Sequence, residues 1–412
     1  MQIHKLMNCI KRINYKQVLA AVFLSVIFFI STATLPSTMT TIGNFLNAEH
    51  IDIVSAKNTI DKAYRNMLEF EGNYLTNKGA YINLNGLMAR VMGQRYMNAI
   101  VKLNNGHLTA LSPKKNVTLA ATQLTKLYNK QKESGKYFLF VLAPTQIPKY
   151  ENILPAGYTD YSNQNADNLI NMLQINGVPV LDLREEMLND GMNNTDAFFV
   201  TDHHWKPETG FWAYTKIVNY LIDKGVASSI DPMYTDINCF NVDVYKKWFL
   251  GSSGKRTGTY YAGVDDFSII TPKFETDISL EIPSKDIYRE GAFADVAFSR
   301  KLASKDYFNL NEDGIYGYGN ASGKIYRNEM APINLNILSI RDSFACTSLT
   351  FLPIVVTSCE ELDMRYDKNI QDSDYFQNFY AEYNPDVIIV LISARTVVQL
   401  NTVYDFFNDL HE

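Results

Sequence analysis

Two unbroken apolar runs constrain this chain most, Tyr137-Phe-Leu-Phe-Val-Leu-Ala143 and Val387-Ile-Ile-Val-Leu-Ile392. A strand that is apolar on both sides must be covered on both faces, which points to the parallel sheets of α/β proteins rather than to half-exposed hairpins. Ahead of the first run, Leu119, Ala120, Leu124, Leu127 and Tyr128 recur at helical spacing, and Gly135 stops the helix. A helix over Asn165–Ile175 ending at Gly177, then a strand over Val178–Leu183, repeats the unit. The second run follows Tyr383-Asn-Pro-Asp386 and ends at Ser393-Ala394-Arg395. The expected fold is an α/β sandwich with a parallel central sheet. Active sites of such sheets lie at the carboxyl ends of the strands.

With 46% hydrophobic and 20% charged residues, the 412-residue chain can bury a full core and is not a disordered polymer. Its net charge of −6, with no basic run beyond the N-terminus, argues against nucleic acid as a partner. Lys5, Lys11, Arg12 and Lys16 precede the uncharged segment Val18 to Leu35, and no charge returns until Glu49. Eighteen residues at about 1.5 Å each nearly cross a bilayer core of about 30 Å, and the basic flank keeps the N-terminus cytoplasmic. The expected organisation is a cytoplasmic stretch 1–17, a membrane signal anchor 18–35, a helical leading region 36–115, and an extracytoplasmic α/β domain 116–412 with an insertion at 226–335. Ser31-Thr32-Ala33 has the small-x-small form of a cleavage site, so a removed signal peptide is the alternative. Within the leading region the pattern predicts helices over 58–70 and 84–100.

Two motifs carry chemistry: Thr201-Asp202-His203-His204-Trp205, before a helix that opens at Pro207, and Arg341-Asp342-Ser343-Phe344, after the apolar strand 336–340. A serine hydroxyl is a poor nucleophile at neutral pH; it needs an imidazole to take its proton and a carboxylate to orient the imidazole. Of six histidines, His4 and His50 flank the apolar segment, His411 is terminal and His107 sits in a polar turn, which leaves His203 and His204. Ser343, His204 and Asp202 are thus read as nucleophile, base and orienter, with His203, Trp205 and Asp342 in supporting places. Lys149 and Tyr150, in the loop after the first strand, are substrate-contact candidates. So are Lys255, Arg256 and Tyr260, in the glycine- and aromatic-rich stretch 247–266, read as a lid or substrate platform. Gly251 and Gly254 lack the spacing of a phosphate loop. Two other readings use the same residues: a metal site built on Asp202, His203 and His204, and a hydrogen-bonded histidine pair without chemistry. No metal and no cofactor is expected.

At these residues the sequence resembles the bacterial DHHW family, relatives of the alginate O-acetylation proteins AlgJ and AlgX in the SGNH hydrolase superfamily. Asp202-His203-His204-Trp205 is the naming motif, and the resemblance runs from about Val117 to the C-terminus. It implies an SGNH hydrolase-like, flavodoxin-like three-layer sandwich with permuted motif order, the Asp-x-His preceding the serine. It also implies the same triad, with Ser343 N–H as first oxyanion donor and Arg395 as a second oxyanion or substrate contact. Arg341 stands where the superfamily's Gly-Asp-Ser has glycine. The implied function is extracytoplasmic O-acetyl transfer to a cell-surface or secreted polysaccharide, the donor being delivered by a membrane-bound O-acyltransferase. The alternatives are an acetylesterase of the same fold, or a catalytically silent glycan-binding protein using Lys255, Arg256, Tyr260 and Tyr261.

Overall fold

Both apolar runs become inner strands of one eight-stranded sheet in the computed structural model, which describes residues 78–299, 307–308, 315–319, 321, 323–363 and 382–400, with Leu24, Ser25 and Phe28. Residues 83–412 belong to one unit, which holds the whole sheet. The strands are β1 Tyr137–Ala143, β2 Val180–Asp182, β3 Ile278–Ile282, β4 Ile287–Gly291, β5 Lys324–Arg327, β6 Ile333–Arg341, β7 Val356–Leu362 and β8 Val387–Ser393. They lie in the order β2-β1-β8-β6-β7-β5-β3-β4. The first five run parallel.

Alternation along each inner strand makes the three layers. Leu139 and Val141 of β1, Ile389 and Leu391 of β8 and Ile337 of β6 face one core, shared with helix Pro207–Asp223. Phe138, Phe140, Ile388, Val390, Leu338 and Ile340 face the other, shared with helices Thr118–Glu133 and Ser162–Ile175. Burying each such side chain contributes about 1.5–3 kcal/mol, so a strand apolar on both faces has only a central position open to it. The three-layer α/β sandwich read from the sequence is the architecture observed.

Three expectations are corrected. The sheet is not wholly parallel: β5, β3 and β4, all within or near the expected insertion, extend it antiparallel beyond β7. β3 alternates buried and half-buried residues, as an antiparallel strand near a sheet edge can. The helix expected over 84–100 is Lys78–Val91. It ends because Gly93 adopts φ 67°, with Gln94 N–H donating to Ala89 O and Gly93 N–H to Arg90 O, a Schellman stop. The chain then forms a small antiparallel sheet, Tyr96–Met97, Ile100–Lys102 and Leu108–Thr109. The strand expected over 178–183 is shorter, Val180–Asp182, because Asp182 caps the helix Leu183–Asn189. The expected helix 58–70 and the anchor 18–35, apart from Leu24, Ser25 and Phe28, lie outside the described residues. Among the described residues no helix is long and apolar enough to cross a membrane.

Glu360 of β7 is buried beside Leu338 and Ile325 in the ladders. Burial pushes its carboxyl up to about 8; Arg327 opposes the shift, and Glu281 and Glu382 add to it. An unfolded glutamate titrates near 4.3, so the folded state holds the proton more tightly between those values. This stabilising contribution is complete below the unfolded pKa and is lost as pH rises through about 8. Glu360→Gln is expected to flatten the fall in stability between about pH 4.5 and 8 and to raise stability at pH 8 by a few kcal/mol. Denaturant melts at several pH values check this; an unchanged pH slope in the variant contradicts it.

Candidate active site

The tight loop 199–204 is closed at its base by an antiparallel bridge between Phe198 and Trp205, with Lys206 N–H donating to Ala197 O at 2.9 Å. Three further elements fix it. Gln146, just past β1, donates from Nε2 to the carbonyls of Phe199 and Asp202 at 2.8 and 2.7 Å. The Asp265 carboxylate accepts from Val200 N–H, Thr201 N–H and the Thr201 hydroxyl. Gly251 N–H and Gly254 N–H donate to the Thr201 hydroxyl and carbonyl.

Asp202, 3% exposed, is held by donors on every side. Its Oδ1 accepts from His204 N–H at 3.0 Å and meets His204 Nδ1 at 2.6 Å, while its Oδ2 accepts from Ser252 N–H at 2.5 Å. Burial alone raises its pKa. The charges of His203 and His204, the His204 hydrogen bond and the Ser252 N–H outweigh that and hold the carboxyl well below the usual range. An ionised Asp202 can only accept, so Nδ1 of His204 carries the proton and Nε2 presents its lone pair. That nitrogen lies 2.9 Å from Ser343 Oγ.

Ser343 stands in the turn between β6 and the short helix Ala345–Leu349. The turn is pinned by Asp342, fully buried, whose Oδ1 accepts from Phe344 N–H at 2.9 Å. Its Oδ2 accepts from Ser393 N–H and Ser393 Oγ at the end of β8. Arg341 points into a buried ionic cluster with Glu361 and Asp363 and donates to the carbonyls of Gly319 and Ala321. Ser343 N–H donates to no described residue. Serine and histidine loops are tied together where Gly210 meets Thr347: a Cβ on Gly210 would come within 2.6 Å of Thr347 Cγ2. Trp205 and His204 also pack on the Phe344 ring.

Asp202, His204 and Ser343 are thus brought together, while the other candidates divide. His203 touches Asp202 Oδ1 at 3.3 Å and Ser252 Oγ at 3.2 Å and stacks beside His204. Lys149 and Tyr150 are tied to Glu185, and Lys149 also to Asp167. They line a cavity of about 350 Å³ whose wall includes neither Ser343 nor His204. The stretch expected as a lid is instead structural support: Gly251 backs directly onto Asp202, where a Cβ would fall 2.2 Å from Asp202 Cβ. Tyr261 is buried, with its hydroxyl donating to Gln94 O at 2.6 Å. Arg256 and Asn98 hold each other through their main-chain carbonyls. Tyr260 keeps its side chain exposed while its carbonyl accepts from Arg90, and Lys255 is half-buried in the same segment.

Asp202, His203 and His204 offer ligand atoms within 4.8 Å of one another, the geometry a metal reading requires. Yet both His204 nitrogens and both Asp202 oxygens are already engaged, by each other, Ser343 and Ser252. The residues missed in the sequence are Ser252, Asp265, Gln146 and Ser393, which act through main-chain or loop contacts. The glycine pair 251 and 254 is the signal that could have found Ser252, read as close backbone approach rather than as a failed phosphate loop.

Residues 105–232 match the family model described as SGNH hydrolase-like domain, acetyltransferase AlgX. No curated protein sequence matches the chain. Among solved structures, PatB1 of Bacillus cereus, determined with a sulfonyl adduct, is 16% identical with a TM-score of 0.59, over 75% of this chain and 98% of PatB1. A DHHW family protein from Eubacterium siraeum is 14% identical with a TM-score of 0.54, over 75% of this chain and 94% of that one. The O-acetyltransferase domain of Pseudomonas putida AlgJ is 10% identical over 75% of this chain and 99% of that domain, with a TM-score of 0.43. Residues 105–232 are thus similar to the SGNH hydrolase-like acetyltransferase AlgX domain, and the fold is similar to that of PatB1.

Proposed function

We propose that the protein is a serine-dependent O-acetyltransferase that acts outside the cytoplasm on a cell-surface or secreted polysaccharide. The observation that carries this reading is the continuous contact from Asp202 to His204 Nδ1 at 2.6 Å and from His204 Nε2 to Ser343 Oγ at 2.9 Å. Ser343 Oγ attacks the acetyl carbonyl and passes its proton to His204 Nε2. The ionised Asp202 stabilises the imidazolium that forms. Ser343 N–H, free of other acceptors among the described residues, faces the developing oxyanion. His204 then protonates the leaving group, and Ser343 is left as an acetyl ester. A sugar hydroxyl, deprotonated by the same imidazole, attacks that ester and regenerates the serine.

The extracytoplasmic place rests on the basic flank and the uncharged segment 18–35. An enzyme there has no access to cytoplasmic acyl thioesters. By analogy with the alginate O-acetylation proteins it resembles, a membrane-bound O-acyltransferase that hands the acetyl group across is the proposed partner. The AlgX description supports acetyl as the group transferred.

The test compares the full-length chain with its Ser343→Ala and His204→Ala variants, using an acetyl ester reporter and then adding oligosaccharide acceptors. Each variant is expected to lose at least about 10³-fold in ester turnover. In the parent, acetyl should appear on the sugar faster than as free acetate. Hydrolysis with no transfer to any acceptor would favour an esterase, and equal behaviour of the three proteins would sink the acyl-serine reading.

Gly251 supplies an independent check, since a methyl group there has nowhere to go but into Asp202. Gly251→Ala should lower kcat by about 10²-fold through displacement of the Asp202–His204 pair, with secondary structure retained by circular dichroism. Unchanged kcat would mean that this contact does not set the geometry.

A further inference from the structure

Arg395 leaves the sheet just past β8, the strand between β1 and β6. The ladders pair Arg341 with Leu391 and Ser393 with Ala143, and Ala394 N–H donates to Ala143 O at 3.0 Å. Ser343 and Ser393 each lie two residues past the Arg341–Leu391 pair. Arg395 therefore emerges on the same edge as Ser343, one strand away, about 5 Å to the side.

Its environment departs from that of the two buried arginines, Arg184 and Arg341. Arg184 is closed by Asp182, Asp167 and Asn163, and Arg341 by Glu361, Asp363 and two carbonyls. Arg395 is partly buried, yet its guanidinium makes no hydrogen bond or ion pair with any described residue. Burial lowers its pKa first; Asp202, Asp160 and Asp342 oppose the shift, and Arg256 adds to it. A guanidinium stays charged under such pressures.

The three carboxylates supply field without closing on it, because each is taken. Asp202 is held by His204 and Ser252, and Asp342 by Phe344 and Ser393. Asp160 is held by Ser112 N–H and by Ser162. What remains is a planar fork of five donors, enclosed enough to make desolvation costly and set beside the nucleophile. Carboxylates and phosphates match that fork in two-point contacts. Arg256, exposed and within electrostatic reach, adds positive potential on the same side.

We infer that Arg395 recognises an anionic substituent, a carboxylate or a phosphate, carried by the acceptor glycan next to the hydroxyl that receives the acyl group. It is then a specificity-determining residue for an acidic acceptor. The inference rests on the acyl-serine reading for its biological meaning, but its test does not. In full-length Ser343→Ala protein, which cannot turn over, calorimetric titration compares oligosaccharides of equal length that are neutral, uronate-bearing or phosphate-bearing. At low salt one acidic ligand is expected to bind about 10-fold or more tightly than the neutral one, and which one it is identifies the source of the charge. Adding Arg395→Gln should erase the preference and Arg395→Lys should restore part of it. Arg395 holds no partner among the described residues, so thermal unfolding should be unchanged in both.

Equal or absent binding of neutral and acidic ligands, or a preference that survives Arg395→Gln, overturns the inference. Acetyl-serine formation is scored separately in protein with Ser343 intact. If it fails while the acidic preference holds, the acyltransfer reading falls and the anion site stands. If acetyl-serine forms without any acidic preference, only the anion site falls.

Discussion

A carboxylate buried to 3% exposure sets the terms for the rest of this site. Removing Asp202 from water costs several kcal/mol unless donors replace the solvent, and an unmatched charge at that depth would unfold the loop or take up a proton. The fold meets the requirement from two directions. The Asp202-x-His204 turn brings its own main-chain N–H and imidazole, and the Gly251-Ser252 corner brings a third donor from 50 residues later in the chain. Only glycine can stand at 251, because the donor reaches Asp202 by bringing its own backbone into contact with the aspartate's Cα and Cβ. The charge is thereby kept, and with it the tautomer that leaves His204 Nε2 open toward Ser343.

A second buried carboxylate does the corresponding work for the serine. Asp342 joins the turn after β6 to the end of β8, so Ser343 is positioned by two neighbouring strands of the parallel sheet and not by its own loop alone. Beneath it, Arg341, Lys324, Glu361 and Asp363 form a fully buried ionic cluster that binds the carbonyls of Gly317, Gly319 and Ala321. Such clusters specify geometry more than they stabilise it, since the desolvation cost offsets much of the attraction. The two halves of the site meet at Gly210 and Thr347, where the absence of a side chain lets two helices approach closely.

How far the sequence reveals this depends on where the information is local. Unbroken apolar runs announce central strands, and Asp202, His204 and Ser343 are recognisable from residue type and context alone. Contacts made by main-chain groups carry no side-chain signature. Ser252 N–H and Gly251 are therefore invisible until distant segments are brought together, and the Gln146 side chain gains its meaning only from the distant carbonyls it reaches. For the same reason the stretch 247–266 reads as an exposed lid although much of it is buried against Asp202 and residues 83–103. The antiparallel strands β3 and β4 also escape detection, being short, β3 only alternately buried and β4 alternating half-buried with exposed residues.

The proposed acyl-serine mechanism makes Ser343 the residue that holds the acyl group between donor and acceptor. The most direct measurement is peptide mapping by mass spectrometry after a brief exposure of the full-length chain to an acetyl ester, quenched in acid. A single acetyl group on the peptide containing Ser343, discharged when a glycan acceptor is added before the quench, is the predicted result. Acetyl groups scattered over surface lysines, with Ser343 unmodified, would contradict it.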